Sequence, residues 1–274
     1  MLPVHRATRY VQPLREGGSL PAVVETEAGL FVVKFRGAGQ GPKALVAELI
    51  VGQLAAAVGL PVPELALVDV PPPFGRSEPD PEIQDILRKS HGVNVGIRYL
   101  DGAFNFDARA AGELASADFA SRLVWLDALV TNPDRTHRNP NLLVWADALW
   151  LIDHGAALYG HHDWPRMDEA SARSAFPLVR DHVLLEAAGA LGSIDAASAA
   201  ALDEGVVRQI LDAIPDSLLA PAGAGDPPGP AEARARYVRW LGVRLAAPRA
   251  FVAEAEAARA RALAHPRERM GARR

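Results

Sequence analysis

Asn132-Pro133-Asp134-Arg135-Thr136-His137-Arg138-Asn139-Pro140-Asn141 is the richest polar cluster of the chain, and its Asp, Asn, Arg and His side chains cannot all be buried cheaply. It lies between two contrasting patterns. Before it, Phe119, Leu123, Leu126 and Val130 recur on one face of a predicted helix, Phe119–Val130. After it, the apolar arms Asn141–Trp145 and Leu149–Ile152, joined by Ala146-Asp147-Ala148, predict a β-hairpin that ends in Ile152-Asp153-His154-Gly155. A hairpin returns the chain to where it left, with strands about 4.8 Å apart, so Asn139 and Asp153 are expected side by side. An amide oxygen and a carboxylate suit Mg²⁺. An Asp that orients or deprotonates an attacking hydroxyl, Asp134, with an Asn and a second Asp for metal, is the part list of phosphoryl transfer. The same residues admit a plain reading, in which Asp134 caps a turn, Asn139 and Asn141 flank Pro140 in a loop, and Asp153 caps a helix.

Towards the N-terminus, Lys34 stands in Phe31-Val32-Val33-Lys34-Phe35, a strand otherwise made of bulky apolar residues. A lysine there can aim a point charge at phosphates. Glu48 is the only acid of the predicted helix Pro42–Val58, and its neighbours one turn away, Ala44 and Gly52, are small enough to let a strand approach. A Lys–Glu pair of this kind holds phosphates in kinases; the alternative turns Lys34 to solvent and leaves Glu48 on the wet face, opposite the stripe Val46, Leu49, Ile50, Leu54 and Ala57. Gly17, Gly18 and Ser19 fall between the first two strands, where free N–H groups close over phosphates or form a plain hairpin turn. Arg98–Gly102, with Tyr99, Leu100 and Asp101, is placed to connect two lobes and to offer its backbone to adenine.

Thr8–Arg15, Leu20–Glu27, Leu30–Phe35, Glu64–Val70 and Val93–Leu100 read as strands of a small antiparallel sheet. Pro71–Gly92 is a proline-rich excursion with one turn of helix near Glu82–Lys89. From Asp101-Gly102 onward the chain turns to helices, expected at Leu178–Ala190, Ala197–Ala213, Ala231–Leu245 and Arg249–Ala264 and interrupted by Ala220–Pro230. The predicted class is α+β. A β-rich N-lobe spans 1–100, a mainly helical C-lobe spans 101–265, and 266–274 is a frayed tail; the cleft between lobes is where a ligand is expected.

With 274 residues, 49% hydrophobic and 23% charged, the chain is globular rather than disordered. The absence of cysteine excludes a disulfide scaffold, a thiolate metal site and a cysteine nucleophile. No apolar run approaches the roughly 18 residues of a membrane span, and Met1–Arg15 is too polar for a secretory signal, so a soluble cytoplasmic protein is expected. His137, His154, His161 and His162 lack helical ligand spacing and partner acids and read as polar loop residues. The net charge of −4 hides a basic end, because 11 arginines follow Ala231 against four glutamates. Solvated helix faces are the first reading there, and nucleic acid or an anionic lipid the alternative. Only Lys34, Lys43 and Lys89 are lysines, beside 26 arginines. Lys89 needs no role, Lys43 starts a helix within reach of a nucleotide edge, and Lys34 occupies a place where a compact ammonium acts differently from a forked guanidinium.

Lys34, Glu48, the stretch Asn132–Leu142 (NPDRTHRNPNL) and Ile152–Gly155 together resemble the HipA-like kinase family, a branch of the protein-kinase and phosphatidylinositol-kinase fold. The resemblance runs from about Leu14 to Leu219. It implies a two-lobed, ATP-dependent kinase in which Asp134 is the catalytic base, Asn139 and Asp153 bind Mg²⁺, Lys34 binds phosphate and Glu48 is its partner. It also implies a Ser/Thr hydroxyl as acceptor, on another protein or on this one; a small-molecule or lipid hydroxyl, or a nucleotide-binding scaffold without turnover, are the alternatives. Three departures stand out. Thr136 occupies the place of a histidine two residues after the catalytic Asp, His-Gly replaces Phe-Gly after Asp153, and Met1–Tyr10 leaves no room for the N-terminal material with which the HipA toxin engages a DNA-binding antitoxin. A toxin–antitoxin role is therefore not implied.

Overall fold

Five strands, β1 (Val4–Pro13), β2 (Ala22–Thr26), β3 (Gly29–Lys34), β4 (Leu65–Val70) and β5 (Gly92–Arg98), form the N-terminal region of the computed structural model. The structure describes residues 1–14, 20–72, 74–76, 78–108, 112–221, 223 and 225–265; Gly17, Gly18 and Ser19, and the tail from residue 266, lie outside the described residues. In place of an open antiparallel sheet the strands close into a barrel in the order β1-β2-β3-β5-β4. Closure comes from a parallel pairing of β1 with β4, Val4 opposite Leu67 and Arg6 opposite Asp69. That pairing also explains why β1 begins at Val4 rather than Thr8, since its first residues are the ones that meet β4. Phe31, Val33, Ala66 and Val68 are among the side chains that fill the barrel. The interior is tight at β5, where a Cβ on Gly96 would lie 2.6 Å from Val68 and 3.2 Å from Phe31.

Helix α1 (Gly41–Ala57) follows β3, and all of residues 44–52 are buried. The sequence suggested one apolar stripe and one wet face. The helix has no wet face over that length because it is packed between the barrel and helices from the far end of the chain. Gly52 admits the Leu65 side chain, which would stand 2.7 Å from an added Cβ. Helix α2 (Pro81–Lys89) is capped by Asp80, whose carboxylate accepts the Glu82 N–H at 2.9 Å; it buries Ile83 and Leu87 and leaves Lys89 to pair with Asp85 at the surface.

The C-terminal region is built on α3 (Ala117–Leu129), whose Ser116 cap accepts the Phe119 N–H and whose residues 123–129 are all buried. The expected hairpin is present as β7 (Leu142–Trp145) and β8 (Ala148–Leu151), turning through Ala146 and Asp147 at φ +49° and +58°. A third strand that the sequence did not reveal, β6 (Phe104–Asn105), pairs with β7. Helices α4 (Glu169–Arg173), α5 (Gly192–Ala201), α6 (Glu204–Asp212), α7 (Asp216–Leu219), α8 (Pro230–Leu245) and α9 (Ala250–Ala264) complete the fold. Two expected helices differ. Residues 178–190 form only a short 3-10 turn, Pro177–Asp181, because His182 leaves the helical path to bridge Thr136 and to reach Asp127. The run 197–213 is broken at Asp203, whose carboxylate caps a new helix by accepting the Val206 N–H at 2.9 Å.

The basic end is largely engaged by the chain itself. Arg234 pairs with Asp216 and Arg249 with Asp195, Arg236 and Arg261 take acids of their own helices, and Arg259 donates to the Ala188 carbonyl. Arg244 is buried, donates to the carbonyls of Ala128, Leu129, Ala172 and Ser174, and lies over the rings of Trp240 and Phe251. Among the described residues no helix is long and apolar enough to cross a membrane.

Candidate active site

Lys34 ends β3 beside α1 and the segment that follows the hairpin. Its Nζ donates to Glu48 Oε2 at 2.7 Å and to Asp153 Oδ1 at 2.6 Å. Burial works against the ammonium, but the Glu48 and Asp153 carboxylates outweigh it and hold its pKa above the ordinary value. At Asp153 burial likewise opposes the charge, and Lys34 outweighs it, so the carboxyl pKa is lowered. Glu48 is 1% exposed. Its Oε2 also accepts the His154 N–H at 2.8 Å, while Oε1 has no partner among the described residues. The outward reading of Lys34 and the wet-face reading of Glu48 are thus both excluded. The small neighbours of Glu48 matter as expected, though on two sides: Ala44 faces Gly155 just beyond Asp153, and Gly52 faces β4.

Past the end of α3 the chain turns through Thr131 at φ +53° into the polar loop. Buried Asp127, on the last turn of α3, organises it by accepting from Asn132 Nδ2 at 2.9 Å, Arg135 Nε at 2.6 Å and His182 Nε2 at 3.0 Å. The Leu184 N–H donates to His182 Nδ1, which leaves the ring proton on Nε2 facing the carboxylate. Burial opposes the Asp127 charge, yet Arg135 and then His182 outweigh it and push its pKa far down. Arg135, itself buried, reaches on to the carbonyls of Pro140, Asn141 and Ile152 and to His154 Nδ1 at 3.2 Å. One guanidinium therefore ties α3, the polar loop, the hairpin and the residue after Asp153 together. Burial, helped by Arg135, lowers the His154 pKa to about 4, so the neutral ring accepts from Arg135. His154 and His161 are buried rather than polar loop residues, whereas His137 and His162 are exposed.

Asp134 sits at the open side of this frame. Its N–H donates to Asn132 Oδ1 at 3.1 Å, and its Oδ2 accepts from Asn139 Nδ2 at 2.8 Å and Asn141 Nδ2 at 3.2 Å. The hairpin register brings Asn141 to Asp153: Ile152 N–H donates to Asn141 O at 3.1 Å, and Asn141 Nδ2 lies 3.5 Å from Asp153 O. Asn139 is one step further out and exposed. Because both amide nitrogens are turned to Asp134, the Oδ1 atoms of Asn139 and Asn141 and the second oxygen of Asp153 remain as hard donors. That set fits Mg²⁺, which takes few protein ligands and completes its shell with phosphate and water; no group of three His, Asp or Glu poised for a metal occurs among the described residues.

The connection after β5 is anchored on both sides. Tyr99 N–H donates to Leu30 O at 3.1 Å, Leu100 O accepts from Ala103 N–H, and Asp101 O accepts from Trp145 Nε1 at 2.9 Å. Three of the backbone groups expected to meet adenine are thus already engaged, which leaves, among the described residues, the Tyr99 carbonyl and the N–H groups of Leu100 and Asp101. Lys43, which the sequence left without a clear assignment, places its Nζ 2.7 Å from Asp226 Oδ1. No local pattern pointed to Asp127 and His182, which are 55 residues apart. Arg135 and Asn141 lay inside the polar cluster, and the signal for them was adjacency to Asp134 and to the hairpin.

A buried lysine shared by a helix glutamate and a post-hairpin aspartate, in a chain whose polar loop carries an Asp bonded to two Asn, has the residue types that phosphoryl transfer uses. The chain belongs to the HipA-like kinase family, whose sequence profile matches residues 9–174. Among solved structures it is similar to a proinflammatory kinase of Helicobacter pylori, CtkA, with a TM-score of 0.53 over 92% of this chain and 97% of that chain at 12% sequence identity. That likeness is one of fold. No curated protein matches the sequence.

Proposed function

We propose that this kinase is two-lobed, with an N-lobe over residues 1–100 and a C-lobe over 101–265, and that it uses Mg²⁺ and ATP to phosphorylate a Ser/Thr hydroxyl of a protein. The observation that carries the reading is the position of Lys34 Nζ between Glu48 Oε2 at 2.7 Å and Asp153 Oδ1 at 2.6 Å. It sets a fixed cation, prevented from swinging away by a buried acid, next to a carboxylate suited to metal. Lys34 neutralises phosphate charge, Glu48 holds Lys34, and Asp134 accepts or orients the proton of the attacking hydroxyl. Asp134 Oδ2 is occupied by the two Asn side chains, so the hydroxyl is left to Oδ1, and the proton moves from the acceptor oxygen to that atom as the oxygen bonds to the γ-phosphorus and the bond from that phosphorus to the bridging oxygen of ATP breaks, releasing ADP. Asn139 and Asp153, with Asn141 alongside, would hold Mg²⁺, which would supply neutralisation of phosphate charge. The Tyr99 carbonyl and the Asp101 N–H offer adenine one acceptor and one donor.

The test is Mg²⁺-dependent transfer of labelled phosphate from ATP, to the protein itself and to a panel of Ser/Thr peptides, by wild type and Asp134→Ala. Removing a catalytic base costs about 10²–10⁴-fold. Equal transfer by both would refute the role of Asp134, and ATP binding without any transfer by wild type would replace the kinase reading with a scaffold.

A further inference from the structure

The Lys43–Asp226 ion pair joins two segments 183 residues apart and takes no part in the site described above. We propose that it is a latch for Glu48: by tying the first turn of α1 to residues 220–229, it holds that helix where Glu48 meets Lys34. Lys43 and Asp226 are then positioning residues for phosphate binding, an inference that rests on the role assigned to Lys34 and Glu48.

The chemistry of α1 does not account for Lys43. A cation in the first turn of a helix opposes the helix dipole, and that turn contains no acid and no side-chain cap to offset it. Asp226 supplies the missing partner. Its side chain is 8% exposed, and its second oxygen accepts the Gly223 N–H at 3.0 Å. A carboxylate so enclosed depends on its cation, and each member of the pair would be left stranded by loss of the other. Residues 220–229 contain several prolines and glycines, and the described ones, 220, 221, 223 and 225–229, form no helix or strand, so anchoring rather than secondary structure fixes the place of those residues.

The surroundings give the latch leverage. Val46 of α1 lines the same small cavity as Lys43, Asp226, Leu218, Leu219 and Tyr237, which form a common wall. Tyr237 bonds His161 at 2.7 Å and packs edge-on against Trp164 at 4.9 Å, so the segment that follows Asp153 leans on that wall too. A rigid helix carries a displacement of Lys43 to Glu48, five residues and roughly 7.5 Å along the axis. Ala44, between them, faces Gly155, where an added Cβ would lie 3.5 Å from its own. The wall thus sets both carboxylates that hold Lys34.

The experiment uses the full chain with Asp226→Asn and with Lys43→Met, and reads two quantities. The first is amide hydrogen exchange in residues 45–52, expected to quicken about tenfold or more in both variants while residues 22–34 of the barrel stay protected. The second is the Kd for ATP, expected to rise about tenfold in Asp226→Asn but less than about twofold when the same change is made in a Glu48→Gln background. Removing the exposed pair Glu204–Arg208 is the control and changes neither. Unchanged exchange in residues 45–52 overturns the latch. An ATP defect that recurs in full beside Glu48→Gln overturns its action through Glu48. Failure of wild type to bind ATP would refute the nucleotide reading instead, and the exchange result would still decide whether the latch holds the helix.

Discussion

Replacing Lys34 by Met should separate the structural part of this lysine from its chemical part. Met has nearly the same length and volume, so no cavity opens. Glu48, 1% exposed, keeps only the His154 N–H on Oε2 and still lacks a partner on Oε1. Asp153 is part-exposed and can rehydrate, so the loss falls on Glu48. Removing one member of a buried pair costs about 3–5 kcal/mol, which for a chain of this size lowers the melting temperature by roughly 6–20 °C. Urea unfolding at pH 7 measures it. Adding Glu48→Gln to Lys34→Met removes the stranded charge and should recover most of the stability, yet no turnover. Lys34→Arg keeps a cation between the two carboxylates and should fold with a smaller loss, while its forked, bulkier head blocks ATP turnover. If Lys34→Met unfolds within about 1 kcal/mol of wild type, or if the double variant is no more stable than the single one, Glu48 does not depend on Lys34 and the argument fails.

Further outcomes follow from other parts of the frame. Arg135→Met strands Asp127 and should cost about 3–5 kcal/mol in urea unfolding; a change below about 1 kcal/mol would show that the loop is held by other bonds. His154 stays neutral in the folded protein down to a pH of about 4, whereas in the unfolded chain it takes up a proton below about 6.5. Its contribution is therefore complete at neutral pH and is lost as pH falls through that window, roughly 3 kcal/mol in all. His154→Asn, which keeps an acceptor near Arg135 but does not titrate, should flatten this part of the pH–stability curve, and an unchanged slope would exclude His154 as its source. Gly96→Ala places a methyl 2.6 Å from Val68 inside the barrel and should destabilise by about 1–3 kcal/mol; a neutral result would mean that the barrel widens freely there.

The strands around Lys34, the long helix before the polar loop and the hairpin after it could be read from sequence because each has a local period and a local stop signal. Residues whose place is set by distant partners could not. Glu48 looked as much like a solvent residue as a buried one, because helix periodicity registers apolar stripes and says nothing of a second layer packed on the other side. The helix expected at residues 178–190 failed for a similar reason, since His182 is drawn to an aspartate 55 positions earlier. At the site, spacing pointed to Asn139, and the structure adds Asn141, whose Nδ2 lies 3.5 Å from Asp153 O. A hairpin fixes which residues return, but its register depends on a turn formed by Ala146 and Asp147 in left-handed geometry, which neither residue announces.

The parallel seam between β1 and β4 bears on the order in which a nascent chain can fold. β1 leaves the ribosome first, and one of its neighbours, β4, is itself held by β5. The barrel therefore stays open until Arg98 has emerged, and β1, β2 and β3 must wait as a three-stranded sheet with β1 and β3 as unpaired edges. α1, caught in the same interval, has its remaining cover more than a hundred residues downstream. Synthesis thus exposes an apolar helix and an unpaired strand edge together, so slowing translation between residues 57 and 98 should raise aggregation more than slowing it after residue 219.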